Sequence, residues 1–179
     1  MPTDREPPAA RLVALHDRVN QKADALYQHH GARLLCKRGC HDCCVDELTV
    51  FAVEADRIRD WAGDQLRGAA PAAPGRCAFL DGEGACRIYP ARPYVCRTQG
   101  LPLRWMVEED WEWVEYRDIC PLNEAGPPLE TLEEDACWTI GEVEGELAAL
   151  QAERTLADQR IALRDLFAEL AAHNTEGER

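Results

Sequence analysis

No stretch of the 179-residue sequence approaches the roughly 18 consecutive apolar residues of a membrane-spanning helix, so no membrane partner is expected. The opening residues, from Met1 to Pro8, hold no apolar run, and no secretory signal is expected. Positive charge is scarce: 20 Lys and Arg face 33 Asp and Glu, for a net charge of −13. Such a surface repels phosphate backbones, which argues against a nucleic-acid partner. Also missing are a Gly-x-Gly-x-x-Gly fingerprint, a phosphate loop, a Ser–His–Asp signature, paired carboxylates at catalytic spacing and any internal repeat. Without repeated strand–helix units there is no α/β barrel. Catalysis by this chain would have to come from a bound metal.

What the sequence does have is sulfur. Nine cysteines are about 5% of the residues, below the density of small secreted disulfide scaffolds. An odd number of cysteines and no export signal point to a reducing cytoplasm, where clustered thiols bind metal more often than they cross-link. Four of them fall within nine residues, at Cys36, Cys40, Cys43 and Cys44, and Cys77, Cys86, Cys96 and Cys120 follow singly. A metal site needs sulfurs converging on one point, at about 2.3 Å for zinc. Loop ligands two or three residues apart meet that need, and Gly39 permits a tight reversal between Cys36 and Cys40. Cys43 and Cys44 are adjacent, so their side chains tend to diverge and one of them can serve a different metal or an outer contact. The second ligand couple of a zinc ribbon is absent. A run of three ligands with a remote fourth, and a Cys120-Pro121 dipeptide, stand closer to an iron–sulfur clamp. An iron–sulfur cluster is therefore preferred as cofactor, with zinc as the alternative. Cys40-x-x-Cys43 lacks the βαβ surroundings of a thiol–disulfide couple, and His41 is expected to face solvent.

The rest of the chain reads as helices around this centre. Leu12, Leu15, Val19, Ala23 and Leu26 predict an amphipathic helix over 9–33 that stops near Gly31. Thr49 is expected to cap a second helix reaching about residue 67. The stretch from Gly68 to Gly75 reads as a linker, residues 77–80 as a brief strand and Asp81 to Gly84 as a turn. Pro93 opens a short helix. Residues 103–107 and 111–116 form a β-hairpin. Residues 127–172 read as one acidic helical segment, weakened at Gly141 and Gly145, in which Cys137 is a buried structural thiol. Residues 127–179 carry thirteen acidic and four basic side chains, a net of −9. That acidic helix is a candidate surface for a protein partner, although a solvated face is the plainer reading. The fold class expected is mainly α (α+β), a single domain over 1–179 with its cluster core at about 34–122.

The string Cys36-x-x-x-Cys40-x-x-Cys43-Cys44, then Cys77-Ala-Phe-Leu, then Cys86-Arg-Ile-Tyr-Pro-Ala-Arg-Pro-Tyr-Val-Cys96-Arg resembles the YkgJ-type cysteine-cluster proteins, zinc- or iron-chelating domains. The resemblance runs from about Cys36 to Cys120. By position it implies Cys40, Cys43, Cys44, Cys77, Cys86, Cys96 and Cys120 as ligands. The gap between Cys36 and Cys40 is three residues where the family has two, and Cys36 joins the set on proximity. Arg92 and Arg97, inside the string, are candidates to face the negative charge of a thiolate-bound cofactor, or else to organise loop carbonyls. Flagellin lysine methylases are similar over the cluster, and Cys36-x3-Cys40-x2-Cys43 has the spacing of radical S-adenosylmethionine enzymes. The resemblance implies a metal-chelating protein. The alternatives are a cluster-dependent oxidoreductase or protein lysine methyltransferase, and an interaction module with a structural zinc.

Overall fold

The computed structural model describes residues 6–153 and 159–172. The amphipathic pattern at the start of the chain gives α1 (Pro8–His30), whose Leu12, Leu15, Val19, Ala23 and Leu26 are all buried and which ends at Gly31. Thr49 does not cap a helix. It begins a short strand, β1 (Thr49–Phe51), and α2 (Ala52–Ala62) follows directly. The Glu54 carboxylate accepts the Phe51 N–H at 3.4 Å, doing at the start of α2 what a capping side chain would do. Pro93 precedes the single-turn helix α3 (Tyr94–Arg97) as expected.

β2 (Leu103–Glu109) and β3 (Glu112–Asp118) form the expected hairpin, longer than its aromatic core suggested. Asp110 and Trp111 form the two-residue turn at φ 47° and 70°. Positive φ at both central positions matches the twist of the strands. Trp105 stacks on Tyr116 with centroids 5.9 Å apart.

The segment after Pro127-Pro128 is not one helix. It contains isolated 3₁₀ turns, a strand β4 (Trp138–Thr139), α4 (Glu142–Ala152), a strand β5 (Arg160–Ala162) and α5 (Leu163–Ala172). Gly141, at φ 115°, opens α4 instead of weakening a helix middle. Cys137 lies in extended backbone next to β4, buried as expected but not helical. β4 pairs in parallel with β2, Leu103 opposite Trp138, and β1 pairs antiparallel with β5, Val50 opposite Ile161. These pairings correct the fold class: 44% of the described residues are helical and 15% lie in strand, in two small sheets, so the protein is an α+β mix and not mainly α. The expected brief strand at 77–80 reduces to one bridge, Leu80 to Cys86.

Two apolar clusters carry the fold. One joins α2 and α5 to Phe79, Leu80 and Ile88. The other joins α1 and α4 to Tyr94, Leu101 and Trp138, whose indole N–H donates to the Tyr94 hydroxyl at 2.8 Å. Between them the buried Glu54 carboxylate accepts the Tyr94 N–H at 2.6 Å and meets His16 Nε2 at 3.1 Å, tying α1, α2 and α3 together. The acidic C-terminal surface is partly spent within the chain: Glu146, Glu153 and Glu169 pair with Arg18, Arg11 and Arg59. Among the described residues no helix is long and apolar enough to cross a membrane.

Candidate metal centre

Two consecutive four-residue turns fold the cysteine loop. The Cys40 N–H reaches the Lys37 carbonyl at 2.9 Å, with Gly39 at φ 86°, and the Cys44 N–H reaches the His41 carbonyl at 2.9 Å. The left-handed Gly39 is the reversal that the sequence suggested. His41 does not simply face solvent. It packs on Gly84, where an added Cβ would fall 2.4 Å from the His41 ring, and its Nε2 lies 3.4 Å from Arg76.

Cys36 leaves the loop towards the end of α1. Its sulfur lies against Gly100, where a Cβ would stand only 2.4 Å away, and Asn123 Nδ2 donates to it at 3.4 Å. Asn123 is fully buried and also bonds the Gly100 carbonyl (2.8 Å) and the Leu35 N–H (2.9 Å). Its own N–H reaches the Cys120 carbonyl at 2.7 Å. Buried Arg33 holds the 123–127 backbone in place through the carbonyls of Asn123 and Pro127. Cys43 and Cys120 both line an open cavity of about 410 Å³, together with Gly100, Leu101, Ile119 and Pro121. Cys40 is within electrostatic reach of Cys36 and Cys43. Cys36, Cys40, Cys43 and Cys120 thus form one neighbourhood.

Cys44 enters a different one. Its carbonyl accepts the Cys77 N–H at 2.8 Å, and it packs with Cys77 and Cys86 against the α2–α5 core. Cys77 and Cys86 flank a lap in which Asp81 Oδ1 accepts the N–H groups of Glu83 (2.9 Å) and Ala85 (2.8 Å). Those two donors, Ala85 the stronger, hold the Asp81 carboxyl below its usual range. Cys96, on α3, is within electrostatic reach of Cys77 and Cys86. Arg164 pins the Gly68–Gly75 stretch from outside by pairing with Asp46 and bonding the Ala72 and Arg76 carbonyls. Cys137 stands apart, with Arg117, Arg104 and Glu115 as its charged neighbours.

All nine cysteines are free. Burial pushes the thiols of Cys40, Cys77, Cys86 and Cys96 up, and a hydrogen bond with the Cys44 thiol does the same, more strongly than burial, at Cys43. A second influence runs the other way. The N–H groups of Asp42, Phe79 and Ile88 bond the sulfurs of Cys40, Cys77 and Cys86, each two positions earlier. Bonds of this kind stabilise a thiolate and orient it, as outer partners of metal ligands do. Among the described residues no three His, Cys, Asp or Glu side chains converge on a point that would hold an ion as they stand. Chelation through these thiols would therefore require their side chains to rotate from the positions they hold. The donor set still suits a thiophilic metal: free sulfurs only, partly buried, several with N–H donors in place.

The two arginines separate in role. Arg92, stacked 4.2 Å over the Tyr89 ring, is close enough to favour thiolate at Cys86 and Cys96. Arg97 is buried, bonds Asn20 Oδ1 (2.9 Å) and the Pro90 carbonyl (3.4 Å), and burial holds it down at about 10. Spacing gave no sign of Asn123, Gly100 or Tyr27, which surround the Cys36 sulfur. Asn123, three positions after Cys120 in a proline-started turn, offered the only local hint.

No curated protein and no solved structure matches the chain. One family model does match, over residues 35–121, a span that holds every cysteine except Cys137. Residues 35–121 match the model of the CxxCxxCC family, described as a putative zinc- or iron-chelating domain, and over that stretch the chain is similar to that family.

Proposed function

We propose that this chain chelates metal through Cys36, Cys40, Cys43, Cys44, Cys77, Cys86, Cys96 and Cys120, and that it holds iron as an iron–sulfur cluster. The observation that carries the reading is the gathering of free cysteines, Cys43 and Cys120 on one cavity and Cys44, Cys77 and Cys86 on the α2–α5 core, and the backbone N–H groups that favour thiolate at Cys40, Cys77 and Cys86 support it. A buried neutral thiol gains little from such a donor, whereas a metal-bound thiolate gains a charge-assisted bond. The cavity beside Cys43 and Cys120 gives room for a group larger than a single ion. When bound, an iron–sulfur cluster would supply electron transfer or a Lewis-acidic iron. The chain's residues supply thiolates, which must lose their protons on binding, and Arg92 offsets part of the resulting negative charge.

Zinc is the second reading. Cys44, Cys77 and Cys86 lie against an apolar core, the setting of a closed structural four-thiolate site. Free thiols throughout suit a reducing compartment, and the cytoplasm is the location we propose. Anaerobic purification followed by visible spectroscopy and by iron, zinc and acid-labile sulfide analysis tests the proposal. A brown protein with iron and sulfide is expected. A colourless one with stoichiometric zinc selects the second reading, and a chain without either metal refutes both.

A further inference from the structure

We infer that the eight thiols make two separate four-sulfur metal sites, divided at the Cys43–Cys44 peptide. Cys36, Cys40, Cys43 and Cys120 belong to one, and Cys44, Cys77, Cys86 and Cys96 to the other. The inference rests on the chelating role proposed above and adds the number of sites and the ligands of each.

The division follows from where neighbouring residues go. Cys43 lines the cavity whose wall includes Gly100 and Cys120, and the Cys36 sulfur lies against that same Gly100. Asn123 joins these parts directly, bonding the Cys36 sulfur, the Gly100 carbonyl and the Cys120 carbonyl. Cys44, one residue later, is not among the residues that line this cavity. Its backbone bonds Cys77, and it packs with Cys77 and Cys86 on the α2–α5 core. The bridge between Leu80 and Cys86 brings Cys86 back alongside the segment that begins at Cys77. Cys96 stands on the single-turn helix that Pro93 precedes, within electrostatic reach of Cys77 and Cys86.

Ligand number agrees with this partition. A thiophilic ion takes four thiolates in a tetrahedron, and a cubane cluster likewise takes four. Eight thiols around one centre would leave half of them buried, unligated and mutually repelling if ionised. Two sites use every sulfur once. The Cys43 and Cys44 thiols are near enough to interact, so the two sites would adjoin there without sharing a ligand.

The test uses the full reduced chain, stripped of metal and titrated anaerobically with Zn²⁺ alone, with native mass spectrometry counting ions per chain. Wild type should saturate at two. Cys120→Ser and Cys96→Ser should each retain one, and the double variant none. Circular dichroism reports folding, and Cys40→Ser and Cys86→Ser repeat the two arms should either first variant fail to fold. Saturation of the wild type at one ion would overturn the division while leaving chelation intact. Loss of both ions from a folded single variant would also overturn it, since that is the behaviour of one shared centre. A wild-type chain that takes up no zinc and no iron would sink the chelating reading itself.

Discussion

Replacing Gly100 with alanine probes whether Cys36 belongs to the centre. Gly100 sits at φ 89°, and a Cβ there would stand 2.4 Å from the Cys36 sulfur and 3.3 Å from Asn123 Nδ2. Two costs add. The left-handed backbone disfavours a Cβ by about 1–2 kcal/mol. Because non-bonded atoms settle near 3.5–4.0 Å, the sulfur must also retreat by roughly 1 Å, and overpacking of that kind costs about 1–3 kcal/mol. Gly75 supplies the control, with φ 86° and nothing within 4 Å of its Cβ position. Gly75→Ala should therefore show the backbone cost alone. At about 2–4 °C per kcal/mol for a chain of this size, Gly100→Ala should lower the Tm of the metal-free protein by about 4–20 °C and Gly75→Ala by about 2–8 °C. Cysteine has one rotatable side-chain bond, so the Cys36 sulfur can escape the clash by swinging away. The stability loss then falls at the low end, and metal binding suffers instead. The assay is a thermal melt of the reduced, metal-free chain paired with zinc counting on the loaded chain. Equal Tm shifts for the two variants, with full metal content in both, would refute the placement of Cys36.

Other outcomes are expected from the same structure. Asn123→Ala leaves the Leu35 N–H and the Gly100 carbonyl without the partner they have now. It should cost about 2–4 kcal/mol in urea unfolding, and a loss within 0.5 kcal/mol would contradict the network. Cys137→Ser buries a hydroxyl where a thiol is 1% exposed, costing about 1–3 kcal/mol, yet should leave metal content unchanged. A drop in metal would add Cys137 to the ligand set. His16 is held below its ordinary 6.5 by burial, with the Glu54 hydrogen bond opposing. The unfolded chain therefore takes up that proton first as the pH falls through 6.5, so stability should decline on acidification below about 6.5 and recover above it. Urea midpoints from pH 7.5 to 5 should fall more steeply in the wild type than in His16→Gln, and matching slopes would refute the assignment.

The legible parts of the sequence were those whose causes are local. The spacing of Leu12, Leu15, Val19, Ala23 and Leu26 is that of α1, because one helix face is enough to produce it. The aromatic and β-branched runs around residues 103–116 marked the hairpin, since its partner strand lies only a turn away. The error over 127–172 came from the same rule used where it does not hold. Ala136, Ile140, Val143, Leu147 and Leu150 hold helical spacing, but Trp138 among them is drawn into a parallel pairing with β2 by burial against Tyr94. The strand at Thr49 was equally hidden, because its partner at Arg160–Ala162 lies more than a hundred positions away.

At the centre, the chain alone determined which atoms can bind. Nine thiols, their clustering at 36–44, the reversal at Gly39 and the distance of Cys137 along the chain from that cluster are all written in order along the backbone. Tertiary structure decided which sulfurs become neighbours, and it sent Cys43 and Cys44 to different surroundings although they share a peptide bond. It also brought Asn123 and Gly100 to the Cys36 sulfur. The physical reason is that ligand identity is a property of side-chain chemistry. Ligand grouping depends on distances between segments, and those are set by the packing of two apolar cores that no local spacing encodes.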